Sequence, residues 1–104
     1  MISQIGFTGL PTTLWRRQLN GLTPNELRIV IKDAAQEAGI KINTTGAKVR
    51  KNNNKLFGAS KVITDEGARM LQGEYGATTA RELRDALKNS YKKYQGDGIF
   101  DMII

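Results

Sequence analysis

The segment from Thr23 to Gly39 leaves this chain the least freedom. Thr23 offers the hydroxyl of an N-cap, and Pro24 suits the first helical position, where no amide donor is needed. Glu26 stands three residues after the cap, so side chain and backbone can satisfy each other in a capping box. Leu27, Val30, Ile31, Ala34, Ala35 and Ala38 then recur at helical intervals. Arg28, Lys32, Asp33, Gln36 and Glu37 fill the positions between them. Gly39 ends the pattern, because a left-handed residue there costs glycine nothing. The spacing predicts an amphipathic helix whose late, small residues let a neighbour pack closely. A chain holding such a stripe has to bury it.

Other segments read as shorter helices. Pro11 and Thr12-Thr13 set up a helix over Thr13–Asn20, with Leu14, Trp15 and Leu19 apolar and Asn20-Gly21 as its stop. Thr64 caps another, whose Asp65 and Glu66 suit the positive end of the helix dipole. Ala68, Met70 and Leu71 give it an apolar side, Gly67 weakens it, and it stops near Gly73. A second capping-box pair, Thr79 with Glu82, opens a helix running to Tyr94, with Gly96 closing it. Its apolar face is Ala80, Leu83, Leu87, Tyr91 and Tyr94. Ile40-Lys41-Ile42 is short and alternating, and Asn43-Thr44-Thr45-Gly46 is turn chemistry. Lys48–Lys51 and Lys55–Gly58 flank three consecutive asparagines, residues that tolerate positive φ. That arrangement reads as a β-hairpin or loop at 47–60, with Val49 and Phe57 inward. Residues 1–10 read as an extended arm and 97–104 as an apolar tail. The expectation is a mainly α, small single domain of about four helices with short extended termini.

Size agrees with one domain: 104 residues bury roughly two-thirds of the surface the unfolded chain exposes. There is no Cys and no His, so disulfides, thiolate sites, Cys/His zinc sites and the usual neutral-pH general base are excluded. No window reaches the ~18 consecutive apolar residues of a membrane helix. Met1–Phe7 lacks a positive n-region, so it does not read as a signal peptide, and the expected compartment is cytoplasmic. Net charge is +6, but it is not spread evenly. Residues 1–46 contribute +2, residues 47–61 contribute +5, residues 62–95 contribute +1, and the tail from Gly96 contributes −2. A local patch of one sign raises the local potential more than a diffuse excess, and it marks an anionic partner.

The catalytic inventory is thin. Ser60-Lys61 are adjacent, which is not a nucleophile–base spacing, and Asp65-Glu66 are explained by a helix N-terminus. Asp97 and Asp101 lie in a segment that lacks the alternating ligands and closing Glu of a calcium loop. There is no phosphate loop and no dinucleotide fingerprint. The chain is expected not to be an enzyme and to use no metal or small-molecule cofactor.

Nucleic acid, DNA or RNA, is the partner these residues suit best. Lys48, Arg50, Lys51, Lys55 and Lys61 would neutralise phosphates, and Asn53 offers an amide for base edges. Projected at about 100° per residue, Arg81, Arg84, Lys88 and Lys92 form a second basic stripe beside the apolar face of the last helix. Two helices over Thr64–Gln72 and Thr79–Tyr94 have a helix-turn-helix-like layout. The alternative is a protein-interaction module (an inhibitor, an adaptor or a structural subunit of an assembly), binding through the apolar ends Met1–Leu10 and Ile99–Ile104.

Overall fold

The computed structural model describes residues 12–94, which form six helices and no strand: α1 (Thr12–Arg16), α2 (Pro24–Glu37), α3 (Gly46–Asn52), α4 (Asn54–Phe57), α5 (Asp65–Tyr75) and α6 (Ala80–Tyr94). The mainly α expectation holds. The extended arm, the apolar tail and the stop at Gly96 lie outside the described residues.

α2 is built as its residues dictate. The Glu26 amide donates to the Thr23 hydroxyl at 3.1 Å, and the Thr23 amide donates to the Glu26 carboxylate at 2.9 Å. At the other end Gly39 takes φ +76°. Its amide donates to the Gln36 carbonyl at 3.0 Å, and the Ile40 amide donates to the Ala35 carbonyl at 2.8 Å. Those two bonds are a Schellman closure, which takes up carbonyls the helix itself leaves orphaned. Leu27, Val30, Ile31, Ala34 and Ala35 are buried as the period requires. α6 lays Ala80, Leu83, Leu87 and Tyr91 into the same core, and α3 packs on another side of α2.

Tertiary pairing shortens α1. It ends at Arg16, not near Asn20. The Leu19 amide donates to the Thr78 carbonyl and the Ala80 amide to the Arg17 carbonyl, which pairs Gln18 with Thr79 in an isolated antiparallel bridge. Gly21 and Leu22 likewise exchange backbone bonds with Ile63. Once residues 17–22 bond across the fold, their groups are no longer available to a helix. In α5 two glycine readings change. Gly73 does not stop the helix; the left-handed residue at its end is Gly76, at φ +69°. Gly67 is no defect either, since a Cβ there would come within 2.3 Å of the Leu56 carbonyl oxygen. Only glycine lets α5 approach α4 so closely.

The hairpin at 47–60 does not form, and two short helices replace it, so there are more helices than expected. Thr45, which reads as turn chemistry, is the N-cap of α3: its hydroxyl accepts from the Lys48 amide at 3.1 Å. Asn53 does not use positive φ either. It sits at φ −120° and ψ 44°, outside the helical region, and that one residue divides α3 from α4, while its backbone amide (2.9 Å) and its side-chain amide (3.1 Å) both donate to the Val49 carbonyl. Val49 and Phe57 do point inward, both with 0% exposure, but from helices.

Candidate nucleic-acid interface

α3, α4 and the loop after them carry the basic segment. Lys48, Lys51, Lys55 and Lys61 are exposed, and no carboxylate among the described residues forms an ion pair with them. Lys48 and Lys51 are one helical turn apart, and Lys55 follows on α4. Asn52 and Asn54 are exposed beside them. Two residues of the expected set are committed to the fold. Arg50 is half-buried and donates to the Ser60 carbonyl at 2.6 Å, tying α3 to the loop that leads into α5. Asn53 stands at the junction of α3 and α4, with its side-chain amide spent on Val49.

The second stripe divides. Arg84 donates to Asp33 of α2 at 3.1 Å and to Asp85 at 3.1 Å, and its guanidinium lies 5.1 Å from the centre of the Trp15 ring. Burial works against the charged form of Arg84, but its hydrogen bonds to Asp33 and Asp85 outweigh that and raise its pKa. Lys88 reaches Glu37 of α2 at 3.8 Å. Arg81 and Lys92 stay exposed, but Glu82, Asp85 and Asn89 share the outward side of α6 with them. That side is mixed in sign. The stripe flanks the apolar seam, and the flank of a seam is where the neighbouring helix presents its own charges. α5 and α6 are joined by a turn of residues 76–79. Here Glu82 accepts from the amide and the hydroxyl of Thr78, each at 2.8 Å, while its own amide donates to the Thr79 hydroxyl at 3.3 Å. The bonds from Thr78 hold the Glu82 carboxyl below the usual carboxylate range.

α2 sorts its charges by side. Glu26, Asp33 and Glu37 follow at intervals of seven and four and so share one side. They pair with Arg17 of the α1–α2 connection and with Arg84 and Lys88 of α6. Asn25, Arg28 and Lys32 share the other side, and α3 begins there, with Gly46 closed against Asn25. The acids are thus drawn to the α6 flank, and the α3 flank keeps the net positive charge.

Beside the lysines runs a groove of about 820 Å³. One wall is Asn52–Leu56, and the other is the C-terminal half of α5 with Met70, Leu71, Gly73, Glu74 and Tyr75. Met70 is 46% exposed in it. Tyr75 is half-buried there; burial first and Glu74 second push its phenol far above the ordinary tyrosine range. Sequence reasoning missed this groove. The signal was faint: Gly67 and Leu71 form the buried row of α5, and Met70 lies one step off it. Among the described residues no three acidic side chains converge as a metal site would need, and no helix is long and apolar enough to cross a membrane. No protein-family model, no curated protein and no solved structure matches the chain.

Proposed function

We propose that the chain is a small non-enzymatic nucleic-acid-binding domain that holds phosphates along α3 and α4. The observation that carries this reading is the set of exposed lysines, Lys48, Lys51, Lys55 and Lys61, in a segment without a single acidic residue. A polyanion meeting that surface releases counterions and encounters no opposing carboxylate in the segment itself. Of the α6 stripe only Arg81 and Lys92 remain to assist, because Arg84 and Lys88 already hold α2.

Anisotropy titration of a labelled oligonucleotide at several salt concentrations tests the reading. Affinity is expected to fall steeply with salt. Replacing Lys48, Lys51 and Lys55 by Gln should reduce the slope of log K against log salt by about one unit for each phosphate-binding lysine removed. Arg84→Gln should leave that slope alone. If the triple Gln variant binds as the parent does, the lysines are only a solvated surface and the reading fails. Loss of a captured protein on removing Ile99–Ile104, with no oligonucleotide affinity in the parent, would favour the protein-interaction module instead.

A further inference from the structure

The groove between the α3–α4 junction and α5 has a division of charge that the phosphate reading does not use. Lys55 lines one wall, and Lys51 and Lys48 step back from it along α3. The opposite wall carries Glu74, Tyr75, Met70 and Leu71, and Leu56 lies on the Lys55 wall. A phosphate fits the lysine side and is repelled from the Glu74 side. What enters toward Glu74 has to be uncharged, able to lie against the apolar and aromatic residues Met70, Leu71 and Tyr75, and able to use an amide at its edge. Asn54, exposed on the Lys55 wall, presents such an amide from across the groove.

From this we infer that the groove seats an unpaired nucleobase, so that the polymer bound is a single strand and not a duplex. The inference rests on the phosphate reading. In a duplex the bases are stacked and paired, and a surface that grips only phosphates needs no apolar slot beside its lysines. A single strand offers its bases outward, and stacking on an aromatic side chain tolerates any base. Glu74 adds a preference, since a carboxylate accepts from an exocyclic amine such as that of cytosine.

Gly73 makes the test clean. It is helical, lines the groove, and a Cβ at that position would meet nothing within 4 Å. Gly73→Leu therefore adds apolar bulk to the groove wall with no clash at its Cβ, and it improves helix propensity. The ligand is an oligodeoxycytidylate of about ten nucleotides, compared with an abasic deoxyribose-phosphate strand of equal length and with the same strand annealed to its complement. The base-bearing single strand should bind about tenfold tighter than either comparison, within the range base stacking supplies. Gly73→Leu and Tyr75→Leu should each bring it down to the abasic value without changing abasic binding or its salt slope. In the parent, the Met70 methyl resonance should shift with the base-bearing strand and not with the abasic one. Equal binding of the abasic and base-bearing strands, tighter binding of the duplex, or an inert Gly73→Leu overturns the inference while leaving the phosphate reading standing. If none of the three ligands binds, the phosphate reading itself has failed and the base slot goes with it.

Discussion

Two glycines of α5 answer opposite demands. Gly67 lies where a Cβ would come within 2.3 Å of the Leu56 carbonyl oxygen and 2.8 Å of its Cα, so backbone has to move to admit one. Gly67→Ala should destabilise the domain by roughly 1–3 kcal/mol, the usual cost of overpacking. Gly73, with open space around it, should show the reverse: Gly73→Ala is expected to stabilise by up to about 1 kcal/mol, the glycine penalty of a helix interior. Urea unfolding of both variants measures this, and equal effects would contradict the packing. Glu82 makes a different single-residue prediction. Its carboxyl is held below its unfolded value of 4.5 by the hydrogen bonds from Thr78. Its contribution to stability is therefore full above about pH 4.5 and disappears as pH falls through the lowered folded value. Glu82→Gln should flatten the acid limb of a stability–pH curve and leave the shape of the neutral and alkaline limbs as it was. An unchanged acid limb would mean the Thr78 contacts do not persist in solution.

At the scale of elements, α6 is tied to α2 by charge as well as by its apolar seam. Arg84 joins Asp33 and lies over Trp15, so one side chain links α6, α2 and α1. Arg84→Gln should cost roughly 1–3 kcal/mol, since a partly buried charged group loses its partner. Arg81→Gln, on the exposed side of the same helix, should stay within about 0.5 kcal/mol. A double-mutant cycle with Asp33→Asn should return a coupling energy of about 0.5 kcal/mol or more. A cycle that closes to zero would make the pair ornamental. The α3–α4 pair shows how little local signal a short helix needs. Thr45 capping the first turn, Val49 and Phe57 buried, and Asn53 bonding back to Val49 are enough. Thr45→Ala should cost about 1 kcal/mol, as loss of a cap does, and should loosen the presentation of Lys48 and Lys51.

For the whole molecule, the core reports its own integrity through two tyrosines. Tyr91 is buried and Tyr75 lies close enough to perturb it, and both phenols are pushed well above the ordinary value of 10, chiefly by burial. A raised folded pKa means the neutral form belongs to the fold, so stability is intact below about pH 10 and is lost as pH rises beyond it. Ultraviolet titration should find these two phenols silent until the domain unfolds, with tyrosinate absorbance and loss of near-ultraviolet dichroism rising together. Smooth ionisation of all three tyrosines of the chain near pH 10 in a still-folded domain would contradict the burial of these two.

Sequence alone determined the mainly helical fold, the ends of α2, the buried faces of α2 and α6, and the position of the basic segment. Each of these is local: caps act within four residues, an apolar period is written along one helix, and charge can be counted along the chain. Tertiary structure decided the rest. Whether Arg84 and Lys88 face solvent depended on where Asp33 and Glu37 of another helix came to stand. Whether residues 47–60 became a hairpin or two helices depended on burying Val49 and Phe57 in a core that α2, α5 and α6 complete. The groove beside the lysines joins residues 52–56 to residues 70–75, and no periodicity in either segment encodes the space between them. Those outcomes turn on distances between segments remote in the chain, which packing sets only once the whole core has closed.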